Sequence, residues 1–537
     1  MGEARAGHGR SPKPGHEPDV AQWWRGAVVY QVYIRSFCDG NDDGQGDFLG
    51  LISKLDYIVR LGVDAIWLSP IQPSPNRDWG YDVSDYESVH PDYGTLTEFD
   101  ALVAAAHTRG LKIILDQVLA HTSDEHAWFI ASRDGNPEKR DWFVWADPRD
   151  DGTVPNNWLS VFGGPAWAYQ PARRQYYYHK FLRQQPKLNW VNKDAREAAL
   201  KVLDLWLSRG ADGFRLDVAN AYLHDQSLTN NPAIPADSRT LLEWAAAANM
   251  QRHFQDSNLE ENEGALDEVR RRVEAFDDRF VFGEFSEEFE RAGCYLAPDK
   301  GLHSGYNFAL LTASDATGVR VHLETLANYP DHWPCISFSN HDVVRTVSRF
   351  GEGSAKVMLA LLLALRGTIL IYQGEELGLT EVDLKRSQLK DPVGDLHYPL
   401  FKGRDGCRTP MPWDSSKPNL GFSSATPWLP LGPSHASLAV SVQEADPESV
   451  LAFARRMLQA RKDHRSLRDA SLSLLEANVP ILAFCRNEIL CVFNLGRTAM
   501  DFSLPSHIAS LNLGTGEVTQ TGNRLGLGPL SAWFGRL

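Results

Sequence analysis

From Trp23 onward, short apolar runs of strand length alternate with segments of helical period. The runs are Gly26–Ile34, Val63–Pro70, Leu111–His121, Asp212–Ala219, Phe280–Phe285, a weaker one at His303–Leu310, Cys335–Asp342 and Thr368–Glu376. Being nearly continuous rather than strictly alternating, they suit parallel strands buried on both faces. Between them, Phe48–Gly62 carries apolar residues at Leu51, Leu55, Ile58 and Leu61. Thr97–Gly110 and Glu197–Gly210 each close on a glycine suited to a helix C-terminus.

Eight such strands with helices between them fit a closed (β/α)8 TIM barrel better than an open doubly wound sheet, so the expected class is α/β. The interval between the third and fourth runs is too long for one crossover. Residues 121–192, rich in Trp, Tyr, Pro, Gly and Asn, therefore read as a subdomain inserted after strand three. Beyond a helix expected near residues 448–462, the pattern changes to short alternating strands, ILAFCR, EILCVFNL and MDFSLP. These predict a C-terminal antiparallel β domain over residues 471–537. The barrel then takes residues 23–120 and 193–470. Residues 1–22 are polar and lack the apolar core of a secretory signal, so they read as a disordered leader.

The chain has 537 residues, 43% of them hydrophobic, with 54 Lys and Arg against 69 Asp and Glu, a net charge of −15. That balance repels phosphate backbones and anionic lipid, which argues against nucleic-acid and membrane partners. No stretch approaches ~18 consecutive apolar residues, so no membrane span is expected. Six scattered cysteines without CxxC spacing read as reduced thiols, and a cytoplasmic location is expected. The sequence leaves the oligomeric state open.

The chemistry lies at the strand ends. The third ends in Asp116 with His121 beyond it, the fourth in Arg215 and Asp217, the fifth in Glu284, and the seventh in Asn340, His341 and Asp342. In a barrel these ends converge on one face. Acids repeated at that level point to a site, and two carboxylates flanking a sugar can cleave a glycosidic bond. Arg215 and Asp217, two apart on a strand, share a face, so the guanidinium is expected to favour a charged Asp217, as a nucleophile requires. Burial after FVFG is expected to raise the pKa of Glu284, as a general acid requires.

At these residues the chain resembles the α-amylase superfamily of glycoside hydrolases (family 13), and within it the α-glucosidase and oligo-1,6-glucosidase branch. The matching stretches are DQVLAH, QPKLN, GFRLD, VFGE, SNHD and YQGEELG in order, with WGYDVSDY and GRDGCRTPMPW. The resemblance implies Asp217 as nucleophile, Glu284 as general acid/base and Asp342 as the third acid. It implies His121, Arg215 and His341 around the nucleophile and the glucose hydroxyls, with Asp78, Tyr81 and Arg404 closing the glucose subsite. Asp116 matches a structural, sugar-contacting position. The implied activity is retaining, exo-acting hydrolysis of terminal α-linked glucose from a small α-glucoside or oligosaccharide, with transglucosylation possible. A sucrose-cleaving or a glucan- or trehalose-forming transferase is the alternative on the same scaffold. A non-catalytic carbohydrate-binding relative is disfavoured because all three acids are kept. No organic cofactor is implied.

Three positions depart from the pattern. Ala120 stands where many amylases carry a calcium-binding Asn, Lys187 replaces an Asp common in oligo-1,6-glucosidases, and Val218 resembles enzymes that accept α-1,6 links. The stretch DGNDDGQGD places Asp39, Asn41, Asp43 and Asp47 at spacings that suit a structural Ca2+ or Mg2+, or else a metal-free Asx/Gly turn. The aromatic residues of the insertion are expected to pack its own core, and Thr380–Lys402, long for a βα connection, is expected to wall the cleft.

Overall fold

The computed structural model describes residues 22–238, 247–285, 293–298, 300–506 and 508–537. The expected leader, apart from its last residue, lies outside them. In chain order the strands begin with β1 (Val28–Val32), β2 (Ala65–Leu68) and β3 (Lys112–Gln117). An insertion follows, with β4 (Trp145–Ala146), β5 (Trp167–Gln170) and β6 (Gln175–Tyr178). Then come β7 (Gly213–Leu216), β8 (Phe280–Phe285), β9 (Ser304–Asn307), β10 (Cys335–Ile336) and β11 (Thr368–Tyr372). Eight of these form one parallel sheet in the order β10-β11-β1-β2-β3-β7-β8-β9. Its two edges meet at Ser304, whose hydroxyl donates to the Trp333 carbonyl at 2.6 Å and lies 3.2 Å from Cys335 Sγ. The sheet thus curls into the expected barrel.

Every residue of β1, β2, β7, β8, β9 and β11 is buried, because one side of each strand faces the helices and the other the barrel interior. Period two sorts them. Val28, Tyr30 and Val32 join the large core under the helices, whereas Val29, Trp67, Ile114, Phe280, Phe282 and Tyr306 form a separate plug inside the barrel. Two residues further along the same inward faces come Gln31 after Val29, Asp116 after Ile114 and Glu284 after Phe282. The interior therefore passes from apolar floor to charged rim as the strands run toward their C-terminal ends.

The helices are begun by side chains that satisfy their first amides. Asp47 caps Phe48–Leu61, which ends on Gly62 at φ 98°, and Thr95 with Glu98 forms a reciprocal capping box on Leu96–Thr108. In the insertion, β4, β6 and β5 form a small antiparallel sheet. Its core consists of Val144, Trp158, Ala166, Trp167 and Tyr178, so these rings pack a subdomain, as expected. The helix expected near 448–462 spans Val450–Asp463.

The tail contributes β12 (Ser473–Leu474), β13 (Ile481–Arg486), β14 (Ile489–Asn494), β15 (Met500–Ser503), β16 (Ala509–Ser510), β17 (Val518–Thr521), β18 (Arg524–Leu527) and β19 (Ser531–Arg536). They make a five-stranded and a three-stranded sheet closed over Ile481, Leu490, Val492, Leu525, Leu527 and Trp533. All six cysteines are free thiols, and no helix among the described residues is long and apolar enough to cross a membrane.

Candidate active site

Strand register builds the centre of the site. Asp116 on β3 lies beside Arg215 on β7, and Glu284 on β8 beside Tyr306 on β9. Arg215, fully buried, links three acids: Nη1 donates to Asp116 Oδ1 and Asp217 Oδ1, both at 2.8 Å, and Nη2 lies 2.7 Å from Glu284 Oε2. The Tyr306 hydroxyl donates to Glu284 Oε1 at 3.1 Å.

Just after Asp217, Val218 has φ 37° and ψ 50°. A β-branched residue is strained there. The strained turn directs the Val218 amide at Glu284 Oε2, 3.4 Å away.

Asp342 follows β10 in the loop that its own strand end begins. Its Oδ1 accepts from Arg408 Nη2 at 2.9 Å and Arg404 Nη1 at 3.2 Å, and its Oδ2 lies 3.3 Å from His341 Nε2. Arg404 Nη2 donates to Asp78 Oδ1 at 2.7 Å. Gln185 Nε2 bridges Asp78 Oδ2 and the Tyr81 carbonyl, both at 3.0 Å, while His121 Nε2 meets the same carbonyl at 2.9 Å.

The span Thr380–Lys402 reaches this wall through Asp391. That buried carboxylate accepts from Arg404 Nε at 2.9 Å, Nη2 at 2.9 Å and the Arg404 amide at 2.7 Å. These groups enclose a cavity of about 250 Å³ lined by Asp78, Tyr81, His121, Gln185, Asp217, Glu284, Asp342 and Arg404 together with Val161, Phe162, Lys180, Phe181, Val218 and Phe308.

Electrostatics separates the acids into two kinds. Burial raises Asp217 to about 7, against the pull of Arg215, and raises Glu284 likewise to about 7. Burial also opposes charge on Asp342, but His341, Arg404 and Arg408 together hold it well below the usual carboxylate range. Arg215 does favour the charged form of Asp217, as expected, but burial outweighs it. One guanidinium divided among Asp116, Asp217 and Glu284 does not offset the burial of all three. Burial pushes His341 down to about 3 and His121 to about 4, so both rings are neutral.

All nine residues expected in the catalytic and sugar-binding set fall within this network. Arg215 and His341 differ from the rest in lying behind the cavity surface: both are fully buried, His341 backing Tyr81 and Asp342.

Of the three departures, Val218 lines the cavity. Ala120 is packed in the core, and the buried Lys187 Nζ, whose pKa burial pushes well down, donates to the Tyr222 carbonyl at 2.7 Å.

The acidic loop lies apart, leading into the first helix. Asp39 Oδ1 accepts from the amides of Asn41 at 3.0 Å and Asp42 at 2.7 Å, and its Oδ2 from Gly44 at 2.7 Å and the Ser423 hydroxyl at 2.6 Å. Asn41 Oδ1 accepts from the Asp43 amide, Asp43 from Gln45, and Asp47 from Gly40 and Gly50. Its oxygens suit a hard cation, and those of Asn41, Asp43 and Asp47 each accept one hydrogen bond within the loop's own turn, which leaves a lone pair on each for such an ion. Among the described residues no three His, Cys, Asp or Glu side chains converge to hold a metal.

Four contributors escaped the sequence reading. Gln185 sits in a motif used there only for comparison, and Tyr306 in the weakest apolar run. Arg408 is four residues past Arg404 in GRDGCRTPMPW, a spacing that was available as a signal. Asp391 had none.

Residues 31–470 match the family model described as alpha amylase, catalytic domain. The chain is 47% identical to a probable alpha-glucosidase of Rhizobium meliloti (strain 1021), over 91% of this chain and 92% of that protein. It is 34% identical to an oligo-1,6-glucosidase of Parageobacillus thermoglucosidasius, covering 90% and 92% respectively. Among solved structures, the alpha-glucosyl transfer enzyme XgtA superposes with a TM-score of 0.93 at 45% identity, covering 96% of this chain and 100% of that one. The trehalulose synthase MutB from Pseudomonas mesoacidophila MX-45 does so with a TM-score of 0.86 at 31% identity, covering 97% and 100%.

Proposed function

The chain belongs to the α-amylase family of glycoside hydrolases, and from that premise we propose that it is a retaining, exo-acting α-glucosidase of short α-glucosides, able also to transfer glucose. One observation carries the reading: Asp217 and Glu284 are bridged by the adjacent nitrogens of a single buried guanidinium in a cavity whose far wall is sealed by the Arg404–Asp78 ion pair.

A sealed wall suits a chain end and excludes a through-running polymer, which supports exo-action. In the first step an Asp217 oxygen attacks the anomeric carbon. The glycosidic bond breaks as its electron pair goes to the departing oxygen, which takes the proton held by Glu284. In the second step Glu284, now ionised, removes a proton from water or another hydroxyl, whose oxygen displaces Asp217 and restores the α-anomer. Asp342, kept ionised by two arginines, stabilises positive charge developing on the sugar ring.

Transfer is the second reading of the same centre. It is favoured by the apolar part of the lining, Val161, Phe162, Val218 and Phe308, which offers no polar side chain to orient a water molecule. Similarity to an alpha-glucosyl transfer enzyme and to a trehalulose synthase points the same way. Six free thiols suit a reducing compartment, in keeping with a cytoplasmic enzyme.

Asp217→Asn should lower turnover of p-nitrophenyl α-glucoside by roughly 10³-fold or more; turnover near that of the parent chain would overturn the assignment. Proton NMR of the first-formed sugar should show α-glucose, and initial β-glucose would overturn retention. Initial rates on maltose, isomaltose and sucrose, each with and without an added alcohol, separate hydrolysis from transfer.

A further inference from the structure

Gln31 is a polar residue inside an otherwise apolar strand, only 1% exposed, and its side chain meets His341 by a hydrogen bond. Its Nε2 lies 2.8 Å from His341 Nδ1. We propose that Gln31 is a positioning residue that fixes His341 as the neutral tautomer protonated on Nε2, by donating its side-chain amide hydrogen to Nδ1.

The hydrogens along the chain of contacts can be counted from its far end. Asp116 is anchored on Arg215 Nη1 at 2.8 Å and as a carboxylate can only accept. Its Oδ2 receives the Trp67 indole N–H at 3.3 Å and the Tyr81 hydroxyl at 2.9 Å. Tyr81 owns a single hydroxyl hydrogen, and Asp116 takes it. Toward His341 Nε2, 2.5 Å away, the Tyr81 oxygen has only a lone pair to present, so Nε2 must carry the hydrogen. A neutral imidazole has one N–H, which leaves Nδ1 as an acceptor and requires its neighbour to donate. Of the two ends of the Gln31 amide only the nitrogen does so.

The surroundings keep the ring neutral. Tyr81 stacks on it at 5.2 Å and 7° and Tyr33 at 5.9 Å and 26°, while Trp67 meets it edge-on at 6.2 Å. Arg408, Arg404 and Arg215 oppose a further positive charge, and among the facing groups Asp342 favours one.

The lock matters because Asp342 is held from two sides. Two guanidinium groups grip Oδ1, whereas the His341 Nε2–H lies between the Tyr81 oxygen and Asp342 Oδ2, the latter 3.3 Å away. In the other tautomer a ring lone pair would confront both oxygens, and Asp342 would turn away from the cavity. The consequence for catalysis rests on the glucosidase reading; the tautomer does not.

The test is nitrogen-15 NMR of the full chain labelled at its 17 histidines, with the His341 signals assigned by their loss in His341→Asn. At pH 7 the parent should show a protonated Nε2 and an unprotonated Nδ1. A protonated Nδ1, alone or together with Nε2, would overturn the proposal. In Gln31→Glu studied at pH 8–9, where the ionised carboxylate cannot donate to Nδ1, the hydrogen should appear on Nδ1 and kcat should fall about tenfold to a hundredfold with KM changed far less. An Nε2-only spectrum with parental kcat in that variant would overturn the positioning role. The parent spectrum decides the tautomer even if the variant does not fold, and a parent without glucosidase activity would overturn the functional reading while the same spectrum still reports the ring.

Discussion

The two halves of the cavity lining differ in what they could distinguish. One half presents Asp78, Asp217, Glu284, Asp342 and Arg404 from a set of paired charges that runs behind the surface: Asp78, Asp342 and the buried Asp391 share Arg404, and Asp217, Glu284 and the buried Asp116 share the buried Arg215. The other, among the described residues, is apolar: Val161, Phe162, Phe181, Val218 and Phe308. There Lys180 is the exception, and its ammonium is occupied by Asp256 at 3.3 Å and Ser257 at 3.2 Å. A site of buried, directional donors rejects a sugar lacking the matching hydroxyl by several orders of magnitude, whereas an apolar surface separates neighbours by far less. The charged half should therefore decide which ring is held and cleaved. The apolar half should only weight what that ring is attached to.

The contrast breaks most visibly at Arg404. Its replacement in Arg404→Met leaves Asp78, Asp342 and Asp391 facing one another with Arg408 as the nearest remaining cation. Besides a loss of stability of about 3–5 kcal/mol from breaking the buried pair, the loss of the donor that holds Asp342 and Asp78 at the cavity should lower kcat/KM on p-nitrophenyl α-glucoside by about 10²–10³-fold. Phe308→Ala, on the apolar side, should cost less than a tenth as much. If the two losses are equal, the division of labour is wrong.

How far this division was legible in the sequence follows from periodicity. Arg215 and Asp217, like Phe282 and Glu284, are two apart on strands, so a strand reading already puts them on the inward face. Motif order then supplied the partners. Asp391 escaped because nothing local marks it: it lies in a span without apolar period and matters only because the chain folds back to bring Arg404 against it. Gln31 escaped for the opposite reason, since a single polar residue in an apolar run carries no signal until His341 is seen beside it. The pull of Arg215 on Asp217 was legible from their spacing, but the burial that outweighs it and the two other carboxylates drawing on the same charge were not.

That shared charge makes a smaller, measurable effect. Glu284 is raised to about 7 from an ordinary value near 4.3, so the folded chain binds this proton more tightly than the unfolded one. Its contribution favours folding at acidic pH and is lost as pH rises through about 7. Glu284→Gln removes the charged form and should raise Tm at pH 8 by about 1–3 °C, with the gain disappearing at pH 5. The activity of the parent should be bell-shaped and narrow around neutrality, since Asp217 and Glu284 are raised together and turnover needs one ionised and one protonated. A gain in Tm that is equal at both pH values would mean that packing, not charge, sets it.

The weakest effect is expected at Val218, and it sharpens the comparison most. Val218 touches the cavity from the apolar side yet holds a backbone conformation that its side chain disfavours. Val218→Thr keeps the shape and the β-branch, and so the strain, while adding one hydroxyl. If the apolar half only weights linkage, the ratio of kcat/KM on isomaltose to that on maltose should change by less than about tenfold, with the rate on p-nitrophenyl α-glucoside nearly constant. Val218→Gly instead relieves the φ of 37° and frees the turn that aims its amide at Glu284. That variant should lose rate on every substrate alike, and should do so without changing the linkage ratio. A large change of ratio in the threonine variant, or of ratio rather than rate in the glycine variant, would show that Val218 selects through contact and not through the backbone it holds in place.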